Sequence, residues 1–202
     1  MPKTLFPPSI RSRPSYGEWQ PSPGGVCLML ADGAGAGAVL DLAATAPGLM
    51  PKAHVIYITG RDGADWAARI AALSPALFYT SPTYAAAVSR LRKVLADAKM
   101  GLQVYLAGTE GLIGQAQTEA MAAGIPFAAI QTEHRGSLMR RVQCVHCKGI
   151  TEAVRIDPFQ CSHCGLHLYV RDHYSRRIAA FQGVNIDAET PGIVPPAVER
   201  FA

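Results

Sequence analysis

The 202-residue sequence has no apolar run long enough to cross a bilayer, which takes roughly 20 apolar residues. Its first ten residues hold three prolines and no apolar core of the kind a secretory signal needs. A soluble cytoplasmic chain with no membrane partner is therefore expected. Charge is sparse as well: Asp, Glu, Lys and Arg make up 17% of the residues, and the net charge is only +4. With 49% apolar residues, that balance excludes a disordered chain and fits one or two ordinary folded domains. Cysteine is scarce too. There are five, yet four of them fall between positions 144 and 164. In a reducing compartment, paired thiols more often ligate metal than form structural disulfides.

Residues 1–24 contain Pro2, Pro7, Pro8, Pro14, Pro21 and Pro23. Proline fixes φ and removes a donor, so no long helix or central strand fits there. An extended arm is expected, with Tyr16 and Trp19 as anchors. From 25 to 133, short apolar runs alternate with helical patterns. Val26 to Ala31 is continuously apolar, as a strand buried on both faces must be. Further strands are expected at 54–59, 76–80, 102–107 and 127–131, and helices at 38–46, 64–73, 84–99 and 112–123. The third helix places Val88, Leu91, Val94, Leu95 and Ala98 on one face. Strands alternating with helices give an α/β domain, a doubly wound parallel sheet covered on both sides.

Two glycine turns follow strands of this domain. One carries Gly33, Gly35 and Gly37; the other carries Gly108 and Thr109. Such turns are where parallel sheets bind nucleotides, because glycine admits phosphate to the backbone and the next helix offers a positive end. Here the glycines alternate as G-x-G-x-G without the full fingerprint spacing. Asp32 at the mouth would repel phosphate, and neither turn holds a lysine or arginine. The stretch from Val104 to Gly114 resembles the strand, turn and helix near the nicotinamide in the nucleotide-binding half of ferredoxin reductases. Ala107-Gly108-Thr109 replaces that family's usual Cys-Gly-Pro. Only about 24 residues precede the domain, too few for the family's flavin barrel. The resemblance implies a degenerate Rossmann-like domain used for docking, with Gly33, Gly35, Gly37, Gly108 and Thr109 as a vestigial nucleotide site.

Residues 140–189 have a different texture. Cys144 and Cys147 form one Cys-x-x-Cys turn; Cys161 and Cys164 form another. Four thiolates from two turns can surround one metal ion tetrahedrally. Zinc makes such a module a structural clamp; iron makes it a rubredoxin-like one-electron centre; a two-iron cluster or a redox disulfide is the remaining alternative. By spacing alone, zinc leads. His146 and His163 sit inside the turns, exposed or bonding the site from outside, and Cys27 is a core residue. From Arg135 to Arg177 eight Lys/Arg face three acids, a net of +5, which leaves −1 for the rest. That charge suits either an acidic partner surface or a plain solvated face. Arg171, His173, Tyr174, Arg176 and Arg177 are close enough in sequence to make one contact surface. Aromatic interleaving is thin and the charge modest, so nucleic acid is not an expected partner. Asp187 and Glu189 are placed to cap or pair with these arginines. Residues 190–202, with three prolines, read as an extended tail.

Five stretches carry a second resemblance: Tyr105 to Glu110, Arg141 to Gly149, Cys161 to Gly165, Val170 to Arg177, and Gly183 to Glu189. They look like the small subunit of bacterial dimethylamine monooxygenase. The resemblance implies a multi-subunit enzyme that demethylates dimethylamine to methylamine and formaldehyde with oxygen and NADPH. It implies partner subunits, a reductase and a haem oxygenase, bearing haem, FMN and a 2Fe-2S centre. It gives this chain no catalytic residue of its own. It tips the single metal at Cys144, Cys147, Cys161 and Cys164 from zinc toward iron, in a site that relays electrons or docks the two subunits. A structural zinc scaffold and a free-standing zinc-ribbon binding module are the alternatives.

Overall fold

The computed structural model describes residues 13–22, 25–61 and 63–202. The outer part of the expected arm, 1–12, and residues 23–24 lie outside the described residues. The described chain divides into two compact units. Residues 16–139 with Ala202 form one, and residues 13–15 with 140–201 form the other.

The first unit is an α/β fold with a parallel five-stranded sheet. Its strands are β1 (Cys27–Asp32), β2 (Ala53–Ile58), β3 (Leu77–Ser81), β4 (Gln103–Gly108) and β5 (Ile130–His134), in the order β3-β2-β1-β4-β5. Between them run α1 (Ala36–Thr45), α2 (Ala64–Ala72), α3 (Tyr84–Ala96) and α4 (Glu110–Ala122). Side chains alternate across a strand, so β1 serves two cores. Cys27, Met29 and Ala31 pack with α1 and with Ile70 of α2. Leu28 and Leu30 pack with Ala87, Leu91 and Leu95 of α3 and with Leu112, Ile113 and Ala116 of α4. Burial on both faces is the reason β1 is apolar throughout.

The β4 side of the α1 face is filled by chain that precedes the sheet. Trp19 is only 6% exposed and packs among Met29, Ala107 and Tyr105. Its indole N–H donates to the Leu106 carbonyl at 3.2 Å, and its ring meets Tyr105 edge-on at 5.3 Å. The Gly17 amide donates to the Thr132 carbonyl at 2.9 Å, and the Trp19 amide to Glu133 at 2.8 Å. The inner half of the proline-rich segment is thus a strap built into the core.

Four of the five strands lie within one residue of the sequence expectation, and one does not. The last was expected at 127–131 and runs Ile130–His134. Pro126 has no amide for a ladder and begins a 3-10 turn, Phe127–Ala129, that leaves Phe127 56% exposed. Among the described residues no helix is long and apolar enough to cross a membrane.

The second unit is built from β6 (Arg140–Cys144), β7 (Ile150–Val154), β8 (Ile156–Asp157), β9 (Phe159–Gln160), β10 (His167–Ser175), β11 (Ala180–Asn185) and β12 (Val198–Glu199). One sheet has the order β7-β6-β11-β10-β9, in which only the β6–β11 pair is parallel. Val142, Val154, Phe159, Leu168, Val170, Phe181 and Phe201 make its core, together with Cys144 and Cys161. β10 continues through the arginine-rich stretch, with a bulge between Arg171 and Tyr174. The tail is more than extended chain: β12 pairs with β8, Arg200 bonds Asp157 at 2.6 Å, and Phe201 is buried. The aromatic ring of Phe201 is needed there because Arg140, 8% exposed, lies between it and Phe181 at 4.3 and 4.0 Å. Cation–π contact and a 2.9 Å bond to Asp172 offset the burial of that charge.

Trp19→Ala should lower the stability of the α/β unit by about 3 kcal/mol or more, through the cavity it leaves. Urea unfolding followed by Trp66 fluorescence measures this; a midpoint like that of the parent chain would mean the strap is not part of the core.

Candidate metal centre

The two Cys-x-x-Cys turns are built alike. In the first, the Cys144 amide donates to the Gly149 carbonyl at 2.9 Å, and the Lys148 amide donates to the Cys144 carbonyl at 3.0 Å. In the second, the Cys161 amide donates to the Leu166 carbonyl at 2.9 Å, and the Gly165 amide to the Cys161 carbonyl at 3.0 Å. The same offsets recur because both turns curl backbone N–H groups around a sulfur. Each also needs a left-handed residue four positions after its first cysteine. In the second turn that is Gly165, at φ 76°; in the first it is Lys148, at φ 64°, rather than a glycine. Gly149 has another task. A Cβ there would lie 2.5 Å from the ring of His163.

β6 and its turn supply Cys144 and Cys147, and the turn between β9 and β10 supplies Cys161 and Cys164. Their sulfurs all lie within 4.8 Å of one another. Cys144 and Cys164 are 3.8 Å apart, and Cys147 and Cys161 are 3.7 Å apart. A tetrahedron of thiolates bound at about 2.3 Å has edges of about 3.8 Å, so the donor set and its spacing fit one zinc or iron ion. Cys144 and Cys161 are buried, while Cys147 and Cys164 reach the surface. Burial pushes the Cys161 thiol up, but the Cys164 and His163 amides and the adjacent sulfurs outweigh it and bring it down to about 6. The Leu166 amide lowers the Cys164 thiol, yet burial and the three adjacent sulfurs raise it to about 12. Four sulfurs this close do not all ionise unless a cation lies among them.

Contacts outside the sulfurs tie the two turns together. His163 bonds the Ile150 carbonyl at 2.9 Å through Nε2, with its ring over Gly149, so it supports the site without ligating. Ser162 and Thr151 join through their hydroxyls at 3.1 Å, and the Ser162 amide donates to the Thr151 hydroxyl at 3.2 Å. His146 is exposed. Cys27 is buried in β1, and burial pushes its thiol up to about 11.

The other expected contact residues are spread along a hairpin. Arg171 and His173 are exposed on β10, and Arg176 and Arg177 are exposed in the turn between β10 and β11. Tyr174 faces inward instead, its ring edge-on to Phe181 at 5.0 Å. Arg141 holds the hairpin turn, donating to the Ile178 carbonyl at 2.5 Å and to Glu152 at 2.7 Å. Nothing in the spacing of Arg141 signals that task, since its acceptors are 37 and 11 residues away. Asp187 accepts from the Gly192 amide at 2.9 Å. Gly33, Gly35 and Gly37 form a 3-10 turn and the start of α1, and Gly108 and Thr109 lead from β4 into α4. Those two turns end adjacent strands where the strand order reverses.

Residues 8–130 match the family model described as "Dimethylamine monooxygenase subunit DmmA-like, N-terminal domain", and residues 141–184 match that of its C-terminal domain. Over 107 residues the chain is 36% identical to the heme-dependent oxidative N-demethylase delta subunit of Ectopseudomonas mendocina (strain ymp). That stretch is 52% of this chain and 61% of the relative, so the match spans less than two thirds of the relative's length. Among solved structures, the flavohemoglobin of Malassezia yamatoensis with bound FAD and heme gives a TM-score of 0.42 at 14% identity, over 58% of this chain and 33% of that one. A likeness that loose defines no shared fold.

Gly149→Ala should displace His163 and weaken metal retention about tenfold or more, as loss of an outer support does. Competition with a chromophoric chelator reads this directly. Gly48→Ala, where an added Cβ meets nothing within 4 Å, serves as the control and should leave metal retention unchanged.

Proposed function

Because this chain belongs to the DmmA-like family of dimethylamine monooxygenase subunits, we propose that it is a non-catalytic subunit of an assembly that oxidatively demethylates dimethylamine to methylamine and formaldehyde. Its partners in this proposal are a reductase subunit that carries FMN and a 2Fe-2S centre, and a haem-bearing oxygenase subunit. The observation that carries the proposal is the cluster of four sulfurs within 4.8 Å. Cys144, Cys147, Cys161 and Cys164 hold one metal ion, in a rubredoxin-like or zinc-ribbon-like module. When bound, iron passes one electron at a time, whereas zinc only clamps the fold.

The chain's own residues have definite tasks in this scheme. The Cys164 and His163 amides favour thiolate at Cys161, and the Leu166 amide pulls the same way at Cys164, where the adjacent sulfurs outweigh it until a cation lies among them. Cys147 and Cys164 bring the site's edge to the surface, where a partner can approach. Arg171, Arg176 and Arg177 present positive charge along one hairpin, with His173 exposed among them, and Tyr174 supports that hairpin from within. Among the described residues Arg171 and Arg177 make no ion pair with a carboxylate, whereas Arg140 and Arg141 are paired within the unit. Positive side chains left outward in this way suit an acidic face on a partner and speed its approach. Iron is the preferred metal, because electrons must pass between subunits of such an enzyme. A structural zinc scaffold is the second reading, favoured by the closed shell of four thiolates, which leaves no open position.

Metal analysis and the visible spectrum of the intact protein separate the two. The relay predicts one iron per chain and a thiolate-to-iron band that bleaches reversibly on reduction. A colourless protein with one zinc and no redox wave would sink the relay and leave the scaffold. Cys161→Ser should abolish stable metal retention; a variant that kept its metal would remove these four cysteines from the argument. Arg171→Glu together with Arg177→Glu should slow reduction within the reconstituted assembly about tenfold, with weaker salt dependence than the parent. Unchanged rates would take the hairpin out of the docking surface.

A further inference from the structure

The crevice where the strand order reverses, between β1 and β4, is the place where a sheet of this type takes a dinucleotide. Here it is filled by the chain itself. Asp32, the last residue of β1, turns its carboxylate across to the β4–α4 turn. One oxygen accepts the Thr109 amide at 2.7 Å, and the other accepts the Thr109 hydroxyl at 2.6 Å. Thr109 is the N-cap of α4. The carboxylate therefore accepts from the backbone at the start of a helix, where a phosphate would otherwise be drawn.

Each glycine of the two turns has a use that involves no ligand. Gly33 takes φ +44°, and its carbonyl accepts the Tyr57 hydroxyl at 3.1 Å. Gly35 lies so close to the end of β4 that an added Cβ would collide with the Ala107 carbonyl. Gly37 leaves room for the Arg135 guanidinium, 2.6 Å from where its Cβ would be. Gly108 takes φ +124°, and a Cβ there would collide with the Asp32 carboxylate. The sequence places no basic residue in either turn, yet the fold brings Arg135 to the first turn of α1 from beyond β5. That cation is already bound, to Glu133 at 2.6 Å and to Asp41 at 2.6 Å. Its amide also donates to the Gly108 carbonyl at 2.9 Å. A pyrophosphate entering here would meet Asp32, Glu133, Asp41 and Glu110, which opens α4.

We propose that Asp32 is a built-in anion for the start of α4, and that with Arg135 it closes this crevice so that the α/β unit takes no dinucleotide. The glycine turns are kept for close packing of the chain on itself. In the assembly proposed above, hydride oxidation then belongs to another subunit, and electrons reach this chain from a protein rather than from a nicotinamide bound at β1 and β4. The closure itself stands on the clasp alone and does not depend on which metal the cysteines hold.

The test is an amide chemical-shift titration of the full chain with NADP+ and, separately, with inorganic phosphate. Neither probe should shift Gly33, Gly35, Gly108 or Thr109 saturably at ~1 mM, the upper end of ordinary Michaelis constants. Saturable wild-type shifts at these four amides would overturn the proposal. Asp32→Ser frees the Thr109 amide and removes the repelling charge, so it should gain saturable phosphate shifts there; no gain in a folded variant would also overturn it. If Asp32→Ser does not fold, Thr109→Val decides. It keeps the charge and removes one donor, so it should melt several degrees below the parent and still bind neither probe. A parent-like melting temperature, or acquired binding, would mean the clasp neither holds nor closes the crevice.

Discussion

Four sulfurs held within 4.8 Å of one another repel as they ionise, and a cation among them turns that repulsion into a bond network. The second unit depends on this constraint. Cys144 and Cys161 are part of its nine-residue core, so the cysteine cluster and the core are one structure. A unit this small buries little apolar surface, and a structural metal is one of the ways such a unit reaches stability. The sheet follows from the same need. β6 leads into the first turn, β10 leads away from the second, and β11 lies between them, with Gly183 beside Cys144. An added Cβ at Gly183 would press on Val142 and Leu168 at 2.9 and 3.0 Å, so the strand against the site is packed as tightly as the site itself.

The α/β unit solves the opposite problem. Its parallel strands end in turns with free amides, a natural site for an anion, and the chain meets that demand from within. Asp32 takes the Thr109 donors and Arg135 takes the space over Gly37. Burial pushes the Asp32 carboxyl up, and the two donors from Thr109 and the nearby His134 pull against that. Trp19 does for the side of the sheet what Asp32 does for its end: it fills from the chain's own preceding segment a place that the crossover helices leave open. One unit gathers four sulfurs that could hold a cation; the other satisfies its own donors from within.

Much of this was legible in the residues. Continuous apolar runs marked strands buried on both faces, as at Leu28 to Ala31, and the α3 stripe marked its buried side. Two Cys-x-x-Cys turns marked a four-thiolate cluster, because sulfur pairs at that spacing converge only when the backbone curls. The start of β5 is displaced from its expected place because the apolar run from Phe127 ends at Ile130, where the strand begins, while Gln131 to His134 are polar; only pairing with Val104 shows that the ladder begins at Ile130. Tyr174 looked like a surface residue beside its arginines. Alternation from Leu168 and Val170 already puts Tyr174 on the core side of β10, and the two extra residues of the bulge after Arg171 keep it there, opposite Phe181.

The sequence by itself determined the alternation of strands and helices, the clustering of four thiols and the weakness of the glycine fingerprint. These are local properties, set by periodicity, turn chemistry and spacing over a few residues. Only the tertiary structure decided that Lys148 rather than Gly149 takes the left-handed position, that Gly149 makes room for His163, and that Arg140 lies between two aromatic rings. Only it decided that Asp32 closes the crevice onto a threonine 77 residues away. Each of these depends on which distant groups the fold brings within bonding distance, and local spacing carries no information about that.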